Sequence, residues 1–342
     1  MPQPGAETDR EAAAGGSLRP YPAIALKLAI GAGLLALLFT AIDFPELWRR
    51  LAAVDPLCFA AAVALMMVQL AIYAVRLHVM AAAAGGYLPL GQAVIANFEL
   101  MFFTQAVPTQ LAGDAVRALR ARKCGMSWPQ AITAILLDRV VGVSVMLLVA
   151  PLLLLAIPDS GRGQVLLALG ALLAVAAAGL GVLYHAGSVL KRLEHWRAVR
   201  LAIRASEAFR LLLARPRDLA RAALASVAGH ACSGLAASVL AAGLALDLPV
   251  WPAVAAMALV QIAVLLPLSI GGWGVREGAF VVVMSLLGLS ATDALAVSIL
   301  YGLATLVTGL AGGAVWLACG YRTQEIRAAP GDAAMAPVRP SD

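Results

Sequence analysis

The residues of this chain that could do chemistry are charges set inside or beside apolar runs: Glu99, Asp114, Arg117, Asp138, Arg139, Arg276 and Glu277. On insertion scales a charge at membrane depth costs about 2.5–3.5 kcal/mol, so each must be paired or put to use. Arg117 and Arg276 invite an anion first, because a guanidinium presents five donors in a planar fork that fits a lipid phosphate. Small residues stand just before both, Gly113 before Arg117 and Gly271, Gly272 and Gly274 before Arg276. They leave backbone N–H groups approachable, as at the helix N-termini where anions bind. Asp138 and Arg139 are sequence neighbours, about 100° apart around a helix, and cannot simply neutralise one another. Each needs another partner, and Asp138 with Arg117, or Arg139 with Glu277, would close the two halves together. Glu277 is a candidate for that gate or for carrying a proton. Glu99 has two readings: a structural partner of Arg76 or another internal arginine, or a residue that lines the headgroup cavity or carries a coupling proton. Arg117 also has a plainer one, snorkelling to the interface beside its basic neighbours. His230 reads as a hydrogen-bonded packing residue.

Two of these arginines occupy equivalent places in a stretch that occurs twice. Residues 108–117 and 267–276 share P-x4-G-x2-V-R, from Pro108 to Gly113 to Val116-Arg117 and from Pro267 to Gly272 to Val275-Arg276. A G-x-S-x3-A pattern follows each, at Gly125, Ser127, Ala131 and at Gly288, Ser290, Ala294. Proline and clustered glycine prevent a plain spanning helix. Broken backbone at membrane depth survives only when buried in protein or lining a wet cavity. Paired interrupted segments in two halves point to a transporter's binding site.

The elements that must hold these stretches follow from composition. Of 342 residues, 62% are hydrophobic and 13% charged, against roughly 45–50% and 25% in soluble domains. Apolar runs near 20 residues suffice to cross about 30 Å of hydrocarbon. The reading is an all-α polytopic membrane protein. Spans are expected at Ile24–Ile42, 57–83, 131–157, 163–185, 219–243 and 292–318, with 43–56 a short polar connection. The four cysteines are scattered singly, with no metal-ligand or disulfide spacing; no metal and no cofactor is expected.

Charge orders these spans. The net charge of +6 comes from 25 basic against 19 acidic residues, and in a membrane protein basic loops mark the cytoplasmic side rather than a nucleic-acid partner. The cluster at 117–123 and the basic stretch 188–217, read as an interfacial helix, both belong there. Segment 92–112 then starts and ends on one side and must be a re-entrant hairpin. The pair within 253–288 enters from the other side. Six full spans plus two opposed hairpins form an inverted repeat, about 56–157 and 218–318, with tails at 1–20 and 321–342 expected to be disordered and cytoplasmic. Arg49 and Arg50, in a loop placed outside, sit against this scheme.

Pro108…Gly113-Asp114…Arg117, the Asp138-Arg139 pair and Pro267…Gly271-Gly272-Trp273-Gly274…Glu277 together resemble the lysylphosphatidylglycerol synthase transmembrane-region family over most of residues 20–320. The first copy departs from it with Ala112-Gly113 in place of paired glycines, and Asp138 stands where a longer acid is common. The resemblance implies the flippase-like half of such proteins. The soluble lysine-transferring domain would not fit in the two dozen residues after the last span, so the synthase activity is not expected here. On this reading the protein is not an enzyme. It carries an anionic phospholipid or lipid-linked headgroup between leaflets of the plasma (inner) membrane, and a separate lipid-modifying enzyme is its candidate partner. The alternatives are a membrane-embedded enzyme or an accessory subunit acting on lipid or polyprenyl-linked substrates.

Overall fold

Proline, serine and glycine punctuate the apolar runs and set where each helix begins and ends. The computed structural model describes residues 33, 44–107, 111–156, 159–190, 195–265 and 272–319. They form eleven α-helices: α1 Phe44–Ala52, α2 Pro56–Ala83, α3 Leu90–Ala106, α4 Leu111–Lys123, α5 Trp128–Val149, α6 Asp159–Val189, α7 Arg197–Leu213, α8 Pro216–Ala242, α9 Val250–Leu265, α10 Val275–Ser285 and α11 Ala291–Ala318. A 3-10 turn, Ala150–Leu155, extends α5 where Pro151 removes a backbone donor. Among the described residues five helical stretches are long and apolar enough to cross a membrane: Pro56–Ala83, Trp128–Leu155, Arg162–Val189, Pro216–Ala242 and Ala291–Ala318. They are the expected second to sixth spans. The first, the two tails, Pro108, Pro267 and Gly271 lie outside the described residues.

Each expected hairpin is a pair of helices too short to span, α3–α4 and α9–α10, broken at the repeated stretch. The turns around them match in detail. After α2, the Gly86 N–H donates to Ala81 O (2.9 Å), and after α8 Leu246 N–H donates to Ala241 O (2.9 Å). After α4, Met126 donates to Ala121 O, and after α10 Leu289 donates to Met284 O, both at 3.2 Å. These are six-to-one helix terminations, with Gly125 and Gly288 at φ +89° and +88°. Ser127 and Ser290 then cap α5 and α11 through their side chains.

The two repeats run in opposite directions. Along the α2–α8 seam, Gly243 faces Cys58, Gly229 faces the Tyr73 ring, and Arg76 donates to Ser226 Oγ. As one number rises the other falls, so these helices are antiparallel and the repeats they open are inverted. Both hairpins return the chain to the end they left. Gln130 at the start of α5 donates to Gly85 O after α2 (2.7 Å). At the opposite end Asp55 N–H donates to Gly243 O (3.0 Å), and Arg50 reaches Asp293 at the start of α11 (3.4 Å). Alanine dominates the seams. Ala62, Ala74, Ala236, Ala237 and Ala241 are fully buried, which lets backbones approach where hydrophobic driving force is absent.

Two expectations change. The 43–56 connection holds a helix, α1, with Leu47 buried and Trp48 exposed. Its first-turn Glu46 bonds both Arg49 and Arg50, so two bases that opposed the topology are locally neutralised. The basic stretch 188–217 is not one helix: α6 runs to Val189, α7 covers Arg197–Leu213, and Arg217 already belongs to α8. The buried face of α7 is Ile203, Ala208, Phe209 and Leu212, while Trp196 and Leu211 point outward.

Candidate functional site

The first hairpin places its charges on α3 and α4, and α5 brings Asp138 and Arg139 against them. Gly113 is where α4 meets α3: a Cβ there would lie 2.5 Å from Leu100 Cδ1, 2.6 Å from Thr104 Oγ1 and 2.8 Å from Leu100 O. This close approach turns Arg117, one helical turn on, into the interior. Arg117 Nη2 donates to Asp138 Oδ2 at 2.7 Å and Nη1 to Asp114 Oδ1 at 3.4 Å. Arg76, from α2, donates through Nε to Asp138 Oδ1 at 2.7 Å and through Nη2 to Oδ2 at 3.2 Å. Its guanidinium fits because Gly142, one turn beyond Asp138, has no side chain; a Cβ would stand 2.7 Å from Nη1. Arg139 turns away from Asp138 and donates to Asp114 Oδ2 at 2.6 Å.

Three guanidiniums thus share two carboxylates. Arg76, Arg117 and Asp138 are buried, and the Nε–H of Arg117 has no partner among the described residues. The cluster carries one surplus positive charge at membrane depth, with a donor left over. Arg117 does not snorkel. Glu99 is fully buried and bonds Arg120, whose Nη1 also reaches Gln92 Oε1 at 3.2 Å; the partner of Glu99 is Arg120 rather than Arg76.

The second break is built differently. Gly272 and Gly274 have φ of +80° and +85°, a left-handed conformation that only glycine adopts at little cost. They end the turn so that Glu277 folds back as a helix cap, accepting from Gly274 N–H at 2.5 Å through Oε2. Its other oxygen accepts from Arg276 Nε at 3.0 Å. The Arg276 guanidinium stacks on the Trp273 ring, 4.3 Å from its centroid, and rests on Gly302 of α11, where a Cβ would collide with Nη2. Both carboxylate oxygens of Glu277 are engaged. The expected Arg139–Glu277 closure is therefore not formed: Arg139 is held by Asp114 and Glu277 by Arg276. The Asp138–Arg117 pair is present, but both residues belong to the first repeat and do not join the halves.

What does run between the halves is a polar stripe on α8, at residues four and three apart. Ser226 accepts from Arg76 Nη1 at 3.1 Å; His230 Nδ1 is bonded to the Tyr73 hydroxyl at 3.2 Å; Ser233 Oγ meets the Tyr301 hydroxyl at 2.7 Å. Gln261 of α9 also donates to Ser233 at 2.7 Å. Tyr301 precedes Gly302, so the stripe reaches from the first charge cluster to the floor under Arg276. Sequence reasoning did not single out Gly142, Gly302 or Ser226. The available signal was the lone polar spacing Ser226, His230, Ser233 on an apolar helix.

Fold and site together define an integral membrane protein of inverted-repeat build, with ion pairs buried at two broken helices. The chain belongs to the lysylphosphatidylglycerol synthase transmembrane-region family, whose model matches residues 24–313. No curated protein matches the chain.

Proposed function

We propose that the protein carries a lipid with an anionic headgroup from one leaflet to the other, the headgroup passing along the two broken segments. The observation that supports this best is the surplus guanidinium at the first break, with the buried Nε–H of Arg117 unpartnered. A lipid phosphate would take that donor and cancel the charge, and a charge-assisted bond of this kind contributes about 1.5–3 kcal/mol. Arg276 offers a second stop, since its Nη1 makes no hydrogen bond among the described residues. The protein sits in the plasma membrane with its basic, α7 end in the cytoplasm, where a separate lipid-modifying enzyme would meet it.

The test is a leaflet assay on purified protein in vesicles with headgroup-labelled phosphatidylglycerol. The expected result is translocation faster than in protein-free vesicles, with the lipid recovered chemically unchanged. Translocation at the protein-free rate would overturn the reading, and a chemically altered lipid would make the protein an enzyme instead.

A further inference from the structure

The end of the bundle that carries α7 holds a second polar site, away from both breaks. A cavity of about 350 Å³ opens between the end of α2, the start of α5 and α7. Its polar side chains are Gln130, Thr133, Arg204 and Glu207. Gln130 is used up by the fold: it accepts from Ser127 N–H at 2.8 Å and donates to Gly85 O at 2.7 Å. The other three are not. Thr133 is 2% exposed and its Oγ1 has no partner among the described residues. Leaving a buried hydroxyl unpaired is costly, so an orphan on a residue that lines a cavity marks a place for a ligand. Arg204 and Glu207 stand one turn apart at the mouth and pair neither with each other nor with any described residue.

Their arrangement selects a ligand class. Residues three apart on a helix have Cβ atoms roughly 5–6 Å from one another. A cation and an anion held at that separation, and not spent on each other, complement a compact zwitterion. The cation matches a phosphate and the carboxylate matches a primary ammonium. Position supplies the rest. Ala83 ends one spanning helix and Pro129 begins another, which puts the cavity at headgroup depth. Leu211 lines its outer wall, and Tyr87 and Trp196 are exposed near this end, as aromatic residues are at membrane–water boundaries.

We infer that Arg204, Glu207 and Thr133 form a binding site for an aminoalkyl phosphate zwitterion, as in a phosphatidylethanolamine headgroup. The inference does not depend on the carrier reading, because it uses none of the residues of the broken segments. It is tested by native mass spectrometry of the full-length protein released from nanodiscs holding equal amounts of phosphatidylethanolamine, phosphatidylglycerol and phosphatidylcholine. Phosphatidylethanolamine should be retained preferentially, since the others lack an ammonium that can donate to Glu207. Arg204→Gln, Glu207→Gln and Thr133→Val should each lower its retention by about tenfold, the loss of one strong hydrogen bond. Free phosphoethanolamine is then added as competitor. Displacement means the headgroup alone fills the site, and lack of displacement with lipid still retained means the acyl part is needed; both support the zwitterion site. Equal retention of the three lipids, or retention by Glu207→Gln equal to that of the unaltered protein, overturns it. Gly179→Val, at an open position on α6, serves as a folded control and should leave retention unchanged.

Discussion

At the scale of single residues, the structure separates charges that hold the fold from charges left over. Asp138 is the hub, receiving Arg76 from α2 and Arg117 from α4. Asp138→Asn would leave the buried Arg76 guanidinium without its anion and Arg117 with Asp114 alone at 3.4 Å, and breaking such a pair costs about 3–5 kcal/mol. Thermal unfolding in detergent should show a large loss of stability, whereas Arg139→Ala, at a side chain 36% exposed, should shift it little. Equal stability of Asp138→Asn and the unaltered protein would mean that the cluster does not bind the helices together. Arg276 can be probed without touching a charge. Gly302→Ala places a methyl where the guanidinium lies, and should displace Arg276 from Trp273. Lipid translocation is expected to fall as it does in Arg276→Lys, which keeps the charge but loses the planar fork. A well-expressed Arg276→Ala protein that transports normally would remove this residue from the path.

At the scale of elements, the repeated breaks are what the fold spends its glycines on. Valine at 113 meets backbone and side chain of α3 within 2.5–2.8 Å, and valine at 272 meets Val264 at 2.9 Å with φ fixed at +80°. A strained backbone position costs about 1–3 kcal/mol, tolerable for a bundle of this size but enough to bias the seating of a hairpin. Gly113→Val and Gly272→Val should therefore insert in the membrane and lose translocation. Gly179→Val is the control, because no atom lies within 4 Å of its Cβ position. If all three behaved alike in the leaflet assay, the breaks would be ordinary connections. These elements were legible in the sequence for different reasons. Apolar length marked the spans, and P-x4-G-x2-V-R marked the breaks, because both are local properties. The partners of the charges were not: Arg76 and Asp138 are 62 residues apart and Arg76 and Ser226 are 150 apart, so pairing depends on how three helices are rotated about their axes. Gly142 and Gly302 were hidden for a similar reason, since a glycine in a glycine-rich helix carries no local sign of the guanidinium it makes room for. The helix α1 was missed because its nine residues are too few for periodicity to outweigh their charge.

At the scale of the whole molecule, the two ends differ in charge, and this sets how the inverted repeats sit in the membrane. The end formed by α7, the α4–α5 turn and the start of α8 carries Arg122, Lys123, Arg200, Arg204, Arg210, Arg215, Arg217 and Arg221 against Glu207 and Asp218. The opposite end, with the start of α6, carries Arg49, Arg50 and Arg162 against Glu46, Asp55, Asp159, Asp247 and Asp293, and Arg49 and Arg50 are ion-paired. Basic short loops stay in the cytoplasm, and acidic residues count little in that choice. On this rule we propose that the α7 end is the cytoplasmic one, with each hairpin entering from its own side. Single cysteines in a cysteine-free background test this with an impermeant thiol reagent added to intact cells. Positions 122 and 204 are exposed on the basic end and 49 and 247 on the other, so lack of labelling cannot be blamed on burial. Cysteines at 49 and 247 should react from outside, while those at 122 and 204 should react only after the membrane is opened. Labelling of 122 with 204 protected would place the two on different sides and break the α3–α4 hairpin as a re-entrant unit. Labelling of both, with 49 and 247 protected, would keep the inverted repeat and reverse its orientation. The surplus charge at the first break would then face the opposite leaflet, and the direction of lipid movement would have to be assigned anew.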